Sequence, residues 1–188
     1  MRDAYQRQWH LTWLPPLGFN NTFAMMVRSD VARNSHLSTL SEAAGLRAWR
    51  LGAGYEFRQR PDGLEGLLKA YNLRLQGEPV SMDLGLLYTA LNRRQVDMIA
   101  ANSTDGLAAG AEVAILQDDR HYFPPYDCAV VARDETLARY PQLREALAEL
   151  SGKISDAEMR KLNYQVDGEH RSVAEVASQF LRSGQVIR

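Results

Sequence analysis

The sequence has little cysteine and no excess of charge of either sign. Cys128 is the single cysteine among 188 residues, so an internal disulfide and a metal site built on two cysteines are both excluded. It lies in the apolar run 128–132, which predicts a small buried strand residue with no chemical role. The 22 basic and 23 acidic residues give a formal net charge of −1, which disfavours binding to nucleic acid or to an anionic membrane surface.

Long apolar runs are also missing. No stretch is apolar over the roughly 20 residues that a membrane-spanning helix needs. Residues 1–8 are polar, whereas a signal peptide has an apolar centre. We therefore expect a soluble chain that carries no signal peptide. Residues 2–8 look like the end of a helix that runs directly into a strand, so the start of the chain looks cut.

Groups that support catalysis are scarce as well. Ser103 and Thr104 have no neighbouring base and no nucleophile elbow, and the sequence has no glycine-rich phosphate loop. The acids Asp118 and Asp119 look solvated, and no histidine lies at a metal-ligand spacing from another. The four histidines are His10, His36, His121 and His170. The sequence therefore predicts a protein that is not an enzyme, with no catalytic residue, no metal site and no cofactor.

The sequence does contain an alternation of strands and helices. Helical spacing of apolar residues in 64–71 and 84–91 separates short apolar runs that are typical of strands. The predicted strands are 10–14, 23–27, 49–53, 96–101 and 113–116. Such alternation indicates βαβ units and a largely parallel sheet. From residue 134 onward the pattern changes to amphipathic helices, which must cover a sheet that this chain supplies only in part.

Polar and aromatic side chains gather where predicted strands end. The four segments are 20–23, 55–63, 102–106 and 123–127. In open α/β folds these strand ends converge on one crevice, where ligands bind. The segments contain an arginine, aromatic residues and small hydrogen-bonding groups. That inventory suits holding a small zwitterion rather than transforming it.

Several segments, in order along the whole chain, carry a resemblance to a known family. They are LPPLGFNNT at 14–22, YEF with RPDG at 55–63, MDLGLLY at 82–88, QVD at 95–97, STDG at 103–106 and FPPY at 123–126. Together they resemble the glycine betaine/choline (osmoprotectant) substrate-binding components of ABC importers. The resemblance implies an α/β fold of the type II periplasmic-binding-protein kind, in which the ligand lies between two lobes that two crossover strands join.

The resemblance further implies a complete second lobe and only part of the first. Residues 1–17 would be a remnant of the first lobe with the first crossover, and 18–125 would be the α/β second lobe. Residues 126–188 would be the second crossover and the C-terminal helices of the first lobe. The first strands of that lobe have no counterpart in this sequence, so we expect a fragment, a truncated product or one part of a split protein.

The resemblance also implies which residues hold the ligand. A quaternary ammonium has no N–H donor and is best held by aromatic faces, whereas a carboxylate suits a guanidinium fork. The family's aromatic cage falls on Phe23, Asn102 and Tyr126, and the first two replace its usual tyrosines, which leaves the cage thin. The family's carboxylate-binding arginine falls on Arg60, and Asn21 would contact the ammonium side. Weaker candidates are Asn20, Thr22, Tyr55, Ser103 and Thr104.

These residues have structural interpretations as well. Arg60 could be a solvated loop residue that pairs with Asp62. Tyr126 could pack its ring in a turn, and Phe23 could belong to the apolar core. Asp105 is expected to be a cap or turn acid rather than a ligand contact.

We therefore predict a substrate-binding protein, or a fragment of one, that captures glycine betaine, choline or a related quaternary-ammonium osmoprotectant. It would deliver this solute to an ABC permease and its ATPase, in the periplasm or elsewhere outside the cytoplasm, associated with the membrane through the transporter. The alternative is a truncated lobe that binds no solute and acts as an interaction or self-association module. Such a lobe could form a homodimer or a domain swap through its incomplete first lobe, because exposed apolar helix faces favour association.

Overall fold

The computed structural model describes residues 1–183. Strands and helices alternate in its first part, and helices alone follow the last strand. Their order is α1 (Arg2–Trp9), β1 (Leu11–Asn20), β2 (Phe23–Arg28), α2 (Ser29–Asn34), α3 (Leu40–Leu46), β3 (Leu51–Ala53), α4 (Tyr55–Gln59), α5 (Leu64–Tyr71), β4 (Val80–Ser81), α6 (Leu84–Asn92), β5 (Met98–Asn102), α7 (Leu107–Gly110), β6 (Val113–Leu116), β7 (Asp127–Arg133), α8 (Asp134–Arg139), α9 (Pro141–Ala148), α10 (Asp156–Asp167) and α11 (Val173–Arg182). None of these described helices is both long and apolar enough to cross a membrane. Residues 184–188, the end of the predicted segment 126–188, lie outside the described residues.

Within the described part of the chain, five strands form one mixed sheet in the order β4-β3-β5-β2-β6. Strand β3 runs parallel to β4 and β5, whereas β2 runs antiparallel to β5 and β6. The prediction of a largely parallel sheet is therefore wrong at β2. The physical reason is the connection: β2 follows β1 directly after Asn21 and Thr22, with no crossover helix to carry the chain to the opposite end of the sheet.

The strands β1 and β7 pair antiparallel in a separate ribbon, with Asn20 opposite Asp127. The chain enters the mixed sheet after β1 and leaves it before β7, which is the connectivity that two crossovers require. Gly18 has a φ of +117°, and a Cβ there would lie 2.9 Å from the carbonyl oxygen of Ile154. Glycine at this position therefore lets the loop before α10 run along β1. The predicted boundaries of the lobes, at residues 17 and 125, stay a prediction.

The mixed sheet is buried on both faces. Met25 and Val27 of β2 belong to one apolar cluster, and Ala24 and Met26 belong to another, as the alternation of side chains along a strand requires. Residues of α3, α4 and α5 complete the first cluster, and residues of α6 complete the second. Because the core fixes the strands from both sides, the loops at the strand ends have a rigid support.

A buried carboxylate fastens one end of this sheet. Asp97, just before β5, accepts hydrogen bonds from Nε and Nη2 of Arg50 at 2.8 and 2.9 Å. Arg47 and Arg28 lie within 3.8 and 3.9 Å of the same carboxylate. The Arg50 hydrogen bonds hold the pKa of Asp97 below its ordinary value, although burial opposes them. Asp97 thereby joins the segments that begin β3 and β5 to the end of β2.

We predict that Asp97→Asn lowers the free energy of unfolding by about 2 to 3 kcal/mol at neutral pH, because Arg50 loses its anionic partner. The effect stays below that of a fully buried pair because the side chain of Arg50 is 41% exposed. Because the folded-state pKa of Asp97 is lowered, its contribution is complete above about pH 4 and is lost as the pH falls through the folded value. Urea unfolding at neutral and acidic pH measures both effects.

Glu78→Gln is the control for this measurement. Glu78 lies 3.9 Å from Arg58, and its side chain is 93% exposed, so its removal should change the free energy of unfolding by less than about 0.5 kcal/mol. Equal effects of the two substitutions at neutral pH would contradict a structural role for Asp97.

Candidate ligand-binding site

A cleft of about 190 Å³ lies at the edge of the mixed sheet where β5 ends and β2 begins. The antiparallel register places Phe23 opposite Asn102 at this edge. The cleft is lined by Asn21, Phe23, Glu56, Arg60, Asn102 and Tyr126. The structure therefore brings together all five principal candidates from the sequence and adds Glu56.

Two hydrogen bonds hold the end of β1 beside the start of β7 at the cleft. The N–H of Asn21 donates to the carbonyl oxygen of Tyr126 at 3.1 Å. The N–H of Tyr126 in turn donates to Oδ1 of Asn20 at 2.6 Å. The side chain of Asn20, a weaker ligand candidate, is thus used to position the backbone of Tyr126.

Arg60, which follows α4, is held by two carboxylates. Its Nε and Nη2 donate to the two oxygens of Asp62 at 2.8 and 2.9 Å, and its Nη1 donates to Oε1 of Glu56 at 3.1 Å. The hydroxyl of Tyr126 accepts from Nη2 of Arg60 and donates to Asp62. A Cβ on Gly63 would lie 1.9 Å from the Phe57 carbonyl oxygen, so this loop depends on a glycine after Asp62.

Two aromatic rings lie beside the guanidinium. The guanidinium carbon of Arg60 is 5.7 Å from the ring centre of Phe23 and 5.3 Å from that of Tyr126. Phe23 also packs edge to face on Phe57, with ring centres 4.9 Å apart, and lies 6.1 Å from the ring of Phe123. Phe23 therefore both lines the cleft and packs against the buried core, and Phe57 and Phe123 hold its ring in place.

Asp62 and Arg60 keep their charge over a wide pH range. The hydrogen bonds from Arg60, with a smaller contribution from Tyr126, lower the pKa of Asp62 to about 2 against the effect of burial. Asp62 and then Glu56 raise the pKa of Arg60 above its ordinary value. Donation to Asp62 raises the pKa of the Tyr126 hydroxyl. One side of the cleft, called the charged wall below, thus carries the positive Arg60 and the negative Glu56 and Asp62. A ligand carboxylate would have to share the guanidinium with Asp62.

The weaker candidates lie outside this cleft. Tyr55 begins α4 with its side chain toward solvent, and the residue is 59% exposed. The Thr22 hydroxyl donates to the carbonyl oxygen of Pro124, and the Ser103 hydroxyl donates to that of Asn20. Thr104 instead lines a neighbouring groove, which it shares with Asn21 and Asn102. Hydroxyl groups already engaged by the backbone are not free to meet a ligand in the cleft.

Asp105 and Asp118 lie in segments next to the cleft, and their carboxylates have different hydrogen-bond partners. Oδ1 of Asp105 accepts the N–H of Leu107 at 3.0 Å, as expected of a turn acid. The prediction that Asp118 is solvated is wrong, because its carboxylate accepts the N–H groups of Tyr122 and Phe123 at 3.0 and 2.8 Å and the hydroxyl of Tyr71. Asp118 therefore shapes the segment that leads to Tyr126.

The sequence reasoning missed Glu56 as part of the site and gave Asp62 no more than a structural role. The spacing of Glu56, four residues before Arg60, is a signal for an ion pair that could have been used. Within residues 1–183, no group of three histidine, cysteine or acidic side chains could hold a metal ion. The cleft thus offers aromatic rings, side-chain amides and one paired guanidinium.

The mixed sheet, the paired ribbon and the cleft at the strand ends define a periplasmic-binding-protein-like fold. A solved glycine betaine/carnitine/choline ABC transporter structure superposes with a TM-score of 0.87 at 37% identity, over 96% of this chain and 66% of that one. The chain belongs to the OpuAC family, the substrate binding domain of ABC-type glycine betaine transport systems, whose model matches residues 1–183.

Two relatives show how much of a longer protein the chain covers. It is 36% identical to the carnitine transport binding protein OpuCC of Listeria monocytogenes, over 97% of this chain and 59% of that protein. It is 34% identical to a glycine-betaine-binding protein of Pseudomonas aeruginosa, over 94% of this chain and 60% of that protein. The chain thus spans about three-fifths of the length of these curated relatives.

We predict that Arg60→Gln raises the pKa of Asp62 from about 2 toward the ordinary aspartate value of about 3.9, because the carboxylate loses its strongest donor. Carbon-detected NMR titration of the Asp62 carboxyl group measures this change. Arg58→Gln, a substitution at the end of α4 two residues before Arg60, is the control and should leave the pKa of Asp62 where it is. A value that stays near 2 after Arg60→Gln would show that the ion pair does not form in solution.

Proposed function

We propose that this chain is the substrate-binding component, or part of the component, of an ABC importer for a small quaternary-ammonium compound. The observation that carries the proposal is the cleft at the sheet edge, where Phe23, Tyr126 and Arg60 meet the amides of Asn21 and Asn102. Membership of a family of transport binding proteins supports the same conclusion.

The aromatic rings and the net negative charge of the cleft suit a trimethylammonium group. Such a group has no N–H donor, so aromatic faces and nearby negative charge are its main sources of attraction. Phe23 and Tyr126 line the cleft, and their rings would supply the faces. Glu56 and Asp62 give the charged wall one more negative charge than Arg60 neutralises. Glycine betaine, choline and carnitine share this cationic group and differ in the oxygen-bearing end that Arg60 and the amides would meet.

The role in transport rests on the family and on the relatives. We propose that the protein delivers its solute to a membrane permease and its ATPase, and that it works outside the cytoplasm. The family consists of substrate-binding transport proteins, and we propose no catalytic role for this chain. Self-association through the C-terminal helices stays a prediction.

We predict that Tyr126→Leu and Phe23→Leu each weaken the binding of glycine betaine and choline by about two- to thirtyfold, because each removes one aromatic face from the ammonium group. Isothermal titration calorimetry with the full chain measures the affinities. Tyr55→Leu is the matched control, since it removes a tyrosine that lies outside the cleft and should leave both affinities unchanged. Losses of equal size at Tyr55 and Tyr126 would argue against the cleft as the binding site.

A further substitution tests the position of Asn102, where the resemblance implies an aromatic residue that this chain lacks. We predict that Asn102→Tyr tightens glycine betaine binding by about two- to thirtyfold, because a third aromatic face is added at the sheet edge opposite Phe23. The same calorimetric titration detects the gain. Unchanged or weaker binding would mean that the ligand uses the amide of Asn102 rather than the space beside it.

A further inference from the structure

The segment after β5 is held by a helix from the far end of the chain. Nη1 of Arg160 donates to the carbonyl oxygen of Ser103 at 2.7 Å. Nδ2 of Asn163 donates to the carbonyl oxygen of Thr104 at 2.8 Å. Arg160 and Asn163 lie three residues apart in α10, so both side chains leave the same face of the helix.

Glycines allow this helix to come unusually close. A Cβ on Gly106 would lie 2.5 Å from the backbone carbon of Asn163 and the backbone nitrogen of Tyr164. A Cβ on Gly110 would lie 2.2 Å from the ring of Tyr164. The turn before α7 therefore meets α10 backbone to backbone at Gly106, which cannot be replaced without moving the helix, whereas a side chain at position 110 would displace the ring of Tyr164. The two hydrogen bonds to the carbonyl groups thus belong to a tightly packed contact.

The held segment in turn fixes the turn between β1 and β2. The N–H of Ser103 donates to the carbonyl oxygen of Thr22 at 2.8 Å, and the N–H of Thr22 donates to the Ser103 hydroxyl at 3.1 Å. The hydroxyl of Thr104 donates to Oδ1 of Asn21 at 2.7 Å, and Thr104 is only 4% exposed. The amide oxygen of Asn21 is thus occupied by the Thr104 hydroxyl. The NH₂ group of Asn21 is then the part of the amide that can bind a ligand in the cleft.

We infer that Arg160 and Asn163 are positioning residues that act through Thr104 to make Asn21 present N–H donors, rather than an acceptor, to the ligand. Asn21 then meets the oxygen-bearing end of the ligand and not the ammonium side that the resemblance implies. This inference rests on the proposed function, because it assigns a specificity to the same cleft. An N–H donor beside a trimethylammonium pocket selects a ligand with a strong oxygen acceptor. A carboxylate meets that requirement better than a hydroxyl, because hydrogen bonds to charged acceptors are about twice as strong. The cleft therefore favours a zwitterionic betaine over a choline-like cation.

The first test compares two probes with the same cationic group. Calorimetric titration of glycine betaine and choline into the full chain should show that Thr104→Val weakens glycine betaine about three- to tenfold, the value of one hydrogen bond, and choline less than about twofold. Thr104→Ser, which keeps the hydroxyl, should restore the ratio of the two affinities. Equal losses for both probes, or no rescue by serine, would reduce Thr104 to a purely structural role and overturn the inference.

The second test needs no ligand. In the free protein, Asn163→Leu should speed the hydrogen exchange of the Ser103 and Asp105 amides about three- to tenfold, because the segment loses its contact with α10. Lys161→Met is the matched control, since the side chain of Lys161 lies in the same helix and is 68% exposed. Unchanged exchange in Asn163→Leu would overturn the role of α10. Failure of the unaltered chain to bind either probe would instead refute the proposed function. The exchange rates would still decide whether α10 holds the segment that contains Ser103 and Asp105.

Discussion

The bidentate ion pair between Asp62 and Arg60 is the interaction on which the cleft depends. It fixes a planar cation between the rings of Phe23 and Tyr126, and the Tyr126 hydroxyl closes the network by contacting both members of the pair. A free arginine would sample many rotamers, and holding it on a ligand would cost conformational entropy. Because the pair forms before any ligand arrives, that cost is already met when the protein folds.

Rigid elements fix the other residues around the cleft. The antiparallel register of β2 and β5 places Phe23 at the sheet edge, and the fully buried core holds both strands. The carboxylate of Asp118 shapes the segment before Tyr126. Helix α10 holds the carbonyl groups that follow β5. The geometry of the cleft therefore depends on residues that are far apart in the sequence.

The sequence allowed the α/β class, most of the strands and the principal cleft residues to be predicted, because strand ends converge and a resemblance named the positions. It did not reveal the direction of β2, which follows from a short connection rather than from the strand's own pattern. Asp118 was misjudged because its donors include Tyr71, which is remote in sequence. The contacts of Asn163 with Thr104 could not be predicted for the same reason: local patterns carry no information about partners 59 residues away.

The central claim is that a quaternary-ammonium ligand occupies the cleft between Phe23, Tyr126 and Arg60. It is tested most directly by titrating glycine betaine into isotope-labelled full chain and following the side-chain NMR signals. The account predicts saturable shifts of the Phe23 and Tyr126 ring signals and of the Arg60 guanidinium signal, with the Tyr55 ring unaffected. Shifts confined to residues outside the cleft, or no saturable shift of these three side chains, would contradict it.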